Sequence, residues 1–271
     1  MTMLAALQMV STPHVAENLD LASRLIADAA SAGAEFVSLP EYFCLISGSD
    51  TDRLRIGERP GDGPIQQFLA EAARRHAIWL LGGTVPILGA DGGHVRNASC
   101  LFAPDGVLAA RYDKIHLFAY DNGRESYDEA CVLEAGNTPV TVQAAGLRIG
   151  LSVCYDLRFP ELYRAMTFAS GQPPLDLICA PSAFTYTTGE RHWELLLRAR
   201  AVENQCYVIA AAQGGRHRNG RRTWGHSMIV DPWGDVIACV DEGEGMALAR
   251  LDPAHMARIR AQLPALTHRR L

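Results

Sequence analysis

The sequence lacks the features that would point to a membrane or a nucleic acid. Its longest uninterrupted apolar run, Cys206–Ala212, has seven residues, whereas a membrane-spanning helix needs about 20. Acidic residues outnumber basic residues by 30 to 25, which gives a net charge of −5, and nucleic-acid binding needs clustered positive charge. We therefore expect neither a membrane nor a nucleic acid among the partners of this chain.

Signatures of metals, cofactors and disulfides are missing as well. The seven cysteines, at positions 44, 100, 131, 154, 179, 206 and 239, are never closer than 23 residues, so paired zinc ligands are absent. The sequence contains no GxGxxG, Gly-Lys-Ser/Thr, HExxH or GxSxG motif. We expect no metal, no cofactor, and free thiols in a reducing compartment, the cytoplasm.

Lysine is scarce, because 24 of the 25 basic residues are arginine and only Lys114 is lysine. Chance explains this count, since one lysine has to lie somewhere. A functional explanation is that position 114 needs a compact ammonium, which the planar guanidinium of arginine cannot replace. The location of Lys114 relative to the motifs has to decide between the two.

Apolar runs of strand length alternate with amphipathic helices along the whole chain. The predicted strands are Leu4–Met9, Glu35–Leu39, Ile78–Val85, Leu147–Cys154, Leu175–Ala180, Cys206–Ala212 and Met246–Leu251, with hairpins at Val95–Ala103 and Val107–Tyr112 and at Ser227–Val230 and Val236–Val240. The predicted helices run from Thr12 to Gly33 and over Pro64–His76, Pro160–Ala169, Arg191–Asn204 and Pro253–Gln262. Polar loops are predicted at Asp121–Asn137 and Arg216–Arg222. We infer one mixed α/β domain over residues 1–271.

Cys154 ends a predicted strand, and Glu41 and Lys114 each follow one closely. Ligands bind at the carboxyl ends of strands in open α/β sheets, so we expect the three side chains to meet. Together they suffice for attack on a carbonyl, with Glu41 taking the thiol proton and returning it to the leaving amine. Lys114 and the backbone N–H of Tyr155 would stabilise the oxyanion. Attraction to the lysine is also expected to lower the thiol pKa.

Each of these residues also has an ordinary explanation. A cysteine at a strand end is more often a core residue than a nucleophile, and Glu41 or Lys114 taken alone would be a solvated surface charge. A histidine is an alternative base, with His116, His192 and His226 as candidates. The amphipathic spacing around His192 favours a packed side chain there. The residue pattern alone leaves the choice between a carboxylate and a histidine base open.

Three segments resemble the signature blocks of the nitrilase, or carbon–nitrogen hydrolase, superfamily. They are LPEYF (39–43), RYDKIHLF (111–118) and GLSVCYDLRFPELYR (150–164), in the order and spacing of the family's Glu, Lys and Cys. Supporting similarity comes from AALQM (5–9), PSAFTYTTGERHWELLLRARAVENQCYVIAAAQ (181–213) and GHSMIVDPWGDVIA (225–238). The only lysine coincides with the family's lysine, which favours the functional explanation of the lysine count.

The resemblance implies a four-layer α-β-β-α sandwich with mixed sheets, and hydrolysis of non-peptide C–N bonds through a thioester without metal or cofactor. It implies that Glu41 is the general base, Lys114 the oxyanion lysine and Cys154 the nucleophile. Glu129 corresponds to a further glutamate that many members place beside the lysine. An ordinary acidic surface run at 125–129 also explains that residue.

Further segments resemble the deaminated-glutathione amidase branch of the superfamily: YDNGRESYDEA (120–130), AAAQGGRHRNGRRTWGHSM (210–228) and LPALTHRR (263–270). This branch cleaves glutathione whose amine has become a ketone into 2-oxoglutarate and cysteinylglycine. The ω-amidase branch, which acts on 2-oxoglutaramate, resembles residues 210–228 less well and is the alternative function. A non-catalytic scaffold on the same fold is a further alternative, which the presence of Glu41, Lys114 and Cys154 disfavours.

A substrate that carries carboxylates needs an arginine to bind it. Arg158, four residues after Cys154, is the first candidate. The second candidates lie on the basic loop, although a solvated loop explains most of them: Arg216, Arg218, Arg221 and Arg222. We expect a small-molecule amide as substrate and a homodimer or higher homo-oligomer as the assembly.

Overall fold

The first of two large sheets is mixed and has seven strands in the computed structural model, which describes residues 1–90 and 92–270. These strands are β1 (Thr2–Gln8), β2 (Phe36–Ser38), β3 (Trp79–Leu81), β4 (Val85–Leu88), β5 (Val95–Phe102), β6 (Leu108–Asp113) and β17 (Gly245–Leu251). They pair in the order β17-β1-β2-β3-β5-β4, and β6 also pairs with β5. β1, β2 and β3 are parallel, with Leu4 opposite Phe36 and Phe36 opposite Trp79, whereas the remaining pairs are antiparallel.

The second sheet, of six strands within the described ranges, repeats this mixture. It contains β9 (Val140–Ala144), β10 (Leu147–Leu151), β11 (Leu177–Cys179), β12 (Tyr207–Ala210), β15 (Met228–Val230) and β16 (Val236–Cys239), in the order β16-β15-β12-β11-β10-β9. β10, β11 and β12 are parallel. Two small hairpins lie outside the sheets: β7 (Ala119–Asp121) with β8 (Ser126–Asp128), and β13 (Gly214–Arg216) with β14 (Arg222–Trp224).

Helices cover the outer faces of both sheets. They are α1 (Val15–Ser31), α2 (Asp52–Arg55), α3 (Pro64–His76), α4 (Pro160–Thr167), α5 (Tyr186–Asn204) and α6 (Pro253–Gln262), with 3-10 helices at Glu129–Cys131 and Cys154–Arg158. No helix in the described part of the chain is long and apolar enough to cross a membrane.

The alternation of side chains along β1 shows how the layers stack. Leu4 and Ala6 belong to the core that also contains the second sheet, whereas Ala5 and Leu7 belong to the core under α1 and α3. Successive strand residues point to opposite faces, so β1 separates the two cores. The helices α4 and α5 complete the first of these cores on the far side. The result is the expected four-layer α-β-β-α sandwich.

The structure divides one predicted strand into two. The strand predicted over Ile78–Val85 is β3, followed after Gly82 and Gly83 by β4, which pairs antiparallel with β5. Gly83 has a left-handed φ of 51°, and a Cβ on it would lie 2.0 Å from the carbonyl oxygen of Pro40. The close approach of the chain after β2 therefore requires glycine at this break.

Other differences lie where the sequence has little apolar periodicity. The loop predicted at Asp121–Asn137 contains β8 and a 3-10 helix, and β9 and α2 were not predicted. The helix predicted from Arg191 begins at Tyr186, because the Thr185 side chain caps it by accepting a hydrogen bond from the N–H of Thr188.

Candidate active site

Segments that follow three strands form the candidate active site. Glu41 follows β2 and Lys114 follows β6 in the first sheet, whereas Cys154 follows β10 in the second. Glu41 and Cys154 line a common pocket. Lys114 Nζ lies 2.9 Å from Glu41 Oε1. The fold therefore brings the three residues together across the two sheets.

Lys114 is the centre of a group of buried charges, the Lys114 cluster (Glu41, Lys114 and Glu129). Its ammonium donates to Glu41 Oε1 at 2.9 Å, and to Glu129 Oε1 and Oε2 at 3.0 and 2.8 Å. The Lys114 side chain has no exposed surface, and those of Glu41 and Glu129 are 1% and 11% exposed. Two carboxylates thus surround one cation, and none of the three is a solvated surface charge.

The charges on Lys114 and Glu129 persist despite burial. Burial opposes the charge on Lys114, but attraction to Glu129 and Glu41 outweighs it and raises the pKa of Lys114 well above its ordinary value. Burial also opposes ionisation of Glu129, yet the Lys114 ammonium and two further hydrogen bonds lower the pKa of Glu129. Lys114 is therefore cationic and Glu129 anionic at neutral pH.

Both oxygens of Glu129 are held in place. The Tyr42 hydroxyl donates to Oε1 at 2.6 Å, and the backbone N–H of Phe118 donates to Oε2 at 2.7 Å. The acidic surface run at 125–129 describes the exposed Asp128 but not Glu129. No sequence pattern indicated that Tyr42 contacts Glu129.

The two oxygens of the Glu41 carboxylate differ in their hydrogen bonding. Oε1 accepts from Lys114 and, at 2.8 Å, from Asn97 Nδ2. Oε2 makes no hydrogen bond among the described residues, so it can accept a proton. Sequence analysis missed Asn97, although a buried amide within the largely apolar β5 is a recognisable sign of a polar role.

Cys154 lies on a strained turn. Its φ is 48°, in the left-handed region that a residue with a Cβ seldom adopts. Its N–H donates to the carbonyl of Pro181 at 3.0 Å. The N–H of the next residue, Tyr155, lies in the first turn of the 3-10 helix Cys154–Arg158, where backbone N–H groups have no acceptor within the helix. The turn therefore presents a thiol and a backbone donor side by side.

A second buried carboxylate supports this turn through what we call the Asp156 network (Asp156 with Val153, Tyr112 and His116). Asp156 Oδ2 accepts from the Val153 N–H at 2.8 Å and the Tyr112 hydroxyl at 2.7 Å. Oδ1 accepts from the His116 N–H at 3.1 Å and contacts its ring Nδ1 at 2.7 Å. The Asp156 network therefore ties the Cys154 turn to β6 and to the segment after Lys114.

The Cys154 thiol is held in its protonated form. Burial and the nearby Glu41 carboxylate raise the pKa of Cys154 well above its ordinary value. Attraction to Lys114 and a hydrogen bond from the Ala183 backbone offset this only in part. The attraction to Lys114 acts in the expected direction, but burial outweighs it, so the pKa of Cys154 rises overall. A base must therefore remove the proton before the sulfur can attack.

Arg158 lines the same pocket as Cys154. Its guanidinium lies 3.2 Å from His192 Nδ1 and 5.7 and 5.6 Å from the ring centroids of Tyr155 and Phe184. These contacts hold the cation among aromatic rings at the pocket wall, and no acidic side chain of the described residues forms an ion pair with it.

Among the described residues, the three candidate histidine bases are not part of the pocket lining. His116 belongs to the Asp156 network, and His226 stacks on Trp224 with ring centroids 4.1 Å apart. His192 contacts Arg158, and burial together with this cation lowers the pKa of His192. The geometry favours Glu41 over a histidine as the base.

The basic loop predicted at 216–222 is the turn of the β13–β14 hairpin. Arg216 is exposed, and two of the other arginines pair with surface carboxylates. These ion pairs are Arg218–Glu17 at 3.0 Å and Arg222–Glu242 at 3.1 Å. Only the fourth arginine, Arg221, lines the pocket, so the solvated-loop explanation holds for three of the four.

All seven cysteines are free, and five of them are buried. Cys131 and Cys239 are exposed. Within the described ranges, no group of three or more His, Cys, Asp or Glu side chains could hold a metal ion.

Comparison with known proteins agrees with this geometry. A family model described as carbon–nitrogen hydrolase matches residues 3–261. The chain is 40% identical over 269 residues to a deaminated glutathione amidase of Synechocystis sp., covering 98% of this chain and 97% of that protein. It is 39% identical over 275 residues to the deaminated glutathione amidase of Homo sapiens, covering 99% of this chain and 82% of that protein.

The fold also matches a solved structure along its whole length. Saccharomyces cerevisiae Nit3, described as a member of branch 10 of the nitrilase superfamily, superimposes with a TM-score of 0.88 at 32% identity, covering 100% of this chain and 97% of Nit3. The four-layer architecture and the resemblance inferred from the signature blocks are both confirmed. By sequence and by structure, this chain belongs to the carbon–nitrogen hydrolase family.

Proposed function

We propose that this chain is a cysteine-dependent amidase that cleaves deaminated glutathione into 2-oxoglutarate and cysteinylglycine through a thioester. The observation that carries the proposal is the Lys114 cluster, which lies beside a protonated thiol at one pocket. The relatives named for this activity match nearly the whole chain at about 40% identity, which supports the choice of substrate.

In the first half-reaction, the Cys154 sulfur bonds to the amide carbon while Glu41 Oε2 takes the thiol proton. The carbonyl electrons move to oxygen, and the oxyanion accepts hydrogen bonds from Lys114 and the N–H of Tyr155. The Lys114 ammonium has three N–H groups, and sharing one of them between the two Glu129 oxygens leaves one for the oxyanion beside the bond to Glu41. As the C–N bond breaks, Glu41 returns the proton to the nitrogen and cysteinylglycine leaves.

The second half-reaction hydrolyses the thioester. Water bonds to the acyl carbon, and Glu41 takes one of its protons. The C–S bond then breaks, the sulfur regains a proton from Glu41, and 2-oxoglutarate is released. In this scheme Glu129 acts by positioning Lys114, and Arg158 binds a carboxylate of the substrate.

We also propose that the chain works in the cytoplasm as a homo-oligomer. Seven free cysteines suit a reducing compartment. Large apolar side chains are exposed on α5 and on the β15–β16 hairpin, which supports contact with a second copy: Leu195, Val202, Trp233 and Ile237. Sedimentation velocity should give a mass of at least twice 29.5 kDa.

The function is tested with the purified protein and three amides: deaminated glutathione, 2-oxoglutaramate and the neutral propionamide. We expect the fastest turnover with deaminated glutathione, measured as released cysteinylglycine. Intact-mass spectrometry should detect an acyl adduct in wild type and none in Cys154→Ala. Thiol alkylation is a poorer test, because the exposed Cys131 and Cys239 also react.

Failure to release cysteinylglycine would overturn the proposed substrate. Release of ammonia from 2-oxoglutaramate alone would establish the ω-amidase alternative. Turnover of all three amides by Cys154→Ala at the wild-type rate would exclude the thioester mechanism.

A further inference from the structure

Two cations in the pocket lack a carboxylate partner. Arg158 and Arg221 both line it, and neither forms an ion pair with an acidic side chain in the described part of the chain. Arg221 donates from Nη2 to the carbonyl of Ala183 at 3.4 Å, and its ring neighbour is Tyr127 at 5.0 Å. The Arg221 Nε is buried and has no hydrogen-bond partner among the described residues.

An unsatisfied, buried guanidinium N–H is costly and calls for an acceptor. The contrast with Arg218, three residues earlier on the same hairpin, is direct, because Arg218 pairs with Glu17 at 3.0 Å. A carboxylate is the acceptor that matches the guanidinium fork. Each of the two arginines can therefore accept a substrate carboxylate as its partner.

The turn that carries Arg221 is rigidly held. The Arg221 carbonyl accepts from the His217 N–H at 2.8 Å, and the Arg221 N–H donates to Asn219 Oδ1 at 3.0 Å. The His217 ring Nδ1 lies 2.9 Å from the carbonyl of Ser11. Such a turn fixes the position of Arg221 before any ligand binds, which reduces the entropy lost on binding.

The hairpin is attached to the Glu41 side of the pocket. Gln213, directly before β13, donates from Nε2 to the Glu41 carbonyl at 3.1 Å. Asn219 in the turn donates to the carbonyl of Ser47, six residues after Glu41. Arg158, in contrast, lies on the same 3-10 helix as the sulfur that carries the acyl group. The two arginines thus reach the pocket from different elements, Arg221 from the hairpin tied to the Glu41 segment and Arg158 from the helix that carries Cys154.

In the proposed reaction Glu41 protonates the leaving nitrogen, so the amine portion of the substrate lies on the Glu41 side. We propose that Arg221 binds the carboxylate of this amine portion, which in deaminated glutathione is the C-terminal carboxylate of cysteinylglycine. Arg158 then holds the carboxylate of the acyl portion. The assignment rests on the proposed function, and it makes Arg221 the residue that separates a peptide-derived substrate from a primary amide.

Two substrates with the same acyl group test the assignment, because 2-oxoglutaramate differs from deaminated glutathione only in its amine portion. Arg221→Met should lower kcat/KM for deaminated glutathione about 10- to 100-fold, the range for losing a hydrogen bond to a charged group, mainly through KM. The same variant should hydrolyse 2-oxoglutaramate within twofold of wild type, which also shows that it is folded. Arg158→Met should lower kcat/KM for both substrates, and Arg218→Met, the matched control, for neither.

A third substrate, deaminated glutathione with a C-terminal carboxamide, lacks the carboxylate that Arg221 is proposed to bind. Wild type should lose the same factor on this substrate that Arg221→Met loses on the parent, and Arg221→Met should lose nothing further. Equal losses of Arg221→Met on deaminated glutathione and 2-oxoglutaramate would overturn the assignment, and so would wild-type cleavage of the carboxamide at the parent rate. Wild-type cleavage of 2-oxoglutaramate alone would overturn the assignment and the proposed substrate, while leaving the amidase chemistry intact.

Discussion

The Lys114 cluster and the Asp156 network are both built on buried carboxylates near Cys154, but they differ in how far those carboxylates are satisfied. Both oxygens of Asp156 are occupied by four contacts to backbone and side-chain groups. In the Lys114 cluster, Glu41 uses one oxygen for Lys114 and Asn97 and leaves the other open. A carboxylate with an open oxygen can exchange a proton, whereas a saturated one can only hold its neighbours in place.

This difference separates two kinds of expected defect. Changes at Glu41 or Lys114 should act on turnover first, because these side chains are placed to meet the reacting atoms. Changes at Asp156 should act on the free energy of unfolding first, because its hydrogen bonds join the Cys154 turn to the rest of the fold. Variants that retain side-chain shape give the sharpest tests of this division.

The largest effect is expected for Glu41→Gln, which keeps the shape and removes the base. Turnover should fall at least ~10²-fold, the usual scale for loss of general acid–base catalysis. The fold should be retained, because Glu129 still balances Lys114 in the variant. Steady-state kinetics and thermal melting on one preparation measure both, with the exposed Glu71→Gln as control.

An active Glu41→Gln enzyme would contradict the base assignment. The histidine alternative would then return, and His192→Ala would be the variant to measure next.

Lys114→Arg is expected to have the next largest effect. Loss of one oxyanion donor costs roughly 2.7–4 kcal/mol of transition-state stabilisation, a 10²- to 10³-fold fall in turnover. The Lys114 side chain has no exposed surface, so the larger arginine should also destabilise the fold by about 1–3 kcal/mol through overpacking. Normal kinetics and a normal melting temperature would show that any cation serves at this position, and the single lysine would then be chance.

The chemistry-bearing residues could be predicted from the sequence because each follows a strand within a local motif. Glu41, Lys114 and Cys154 needed only this positional argument to be grouped. Their partners could not be found in that way. Asn97 reaches Glu41 only through tertiary contact, and Asp156, although close to Cys154 in sequence, shows its role only in its contacts with Tyr112 and His116. The direction of the thiol pKa shift likewise depends on burial, which no local pattern gives.

The same contrast holds for the fold, because elements with a regular local pattern could be predicted and short exposed ones could not. The helix Pro64–His76 was predicted with the bounds that the structure has, because proline starts it and its apolar face is regular. The hairpin of β7 and β8 was missed, because its strands are largely exposed and, at three residues each, too short for a period-two pattern to be recognised in the sequence. Glu129 lies directly after that hairpin, so its surroundings were hidden as well.

Asp156→Asn should reduce the stability of the fold more than the turnover. An amide in place of the saturated carboxylate turns an NH₂ group toward donors, which should lower the free energy of unfolding by about 2–3 kcal/mol. Turnover should fall by about tenfold or less, since the strained turn at Cys154 loses its support but the reacting groups remain. Urea unfolding measures the first effect, and Asp20→Asn on the exposed face of α1 is the matched control. A stable variant without activity would place Asp156 in the chemistry instead.

The smallest effect concerns His217, whose ring is saturated in the same way as Asp156. Its Nδ1 lies 2.9 Å from the carbonyl of Ser11, so it must carry the proton, and its Nε2 accepts from the Thr223 hydroxyl at 2.8 Å. Burial lowers the pKa of His217 from its ordinary value of 6.5 to about 4. The neutral ring therefore fixes the β13–β14 hairpin that carries Arg221.

The pH dependence of stability follows from this depressed pKa. Between about pH 6.5 and 4 the unfolded chain binds a proton at His217 that the folded chain does not. The contribution of His217 to the free energy of unfolding is therefore complete above pH 6.5 and is lost as the pH falls toward 4. From pH 7 to pH 5 the loss amounts to about 2 kcal/mol. Urea unfolding at both pH values should give a smaller difference for His217→Gln than for wild type, by about that amount. An unchanged difference would mean that the ring takes up its proton inside the folded hairpin, and that the saturated contacts of His217 do not exclude it.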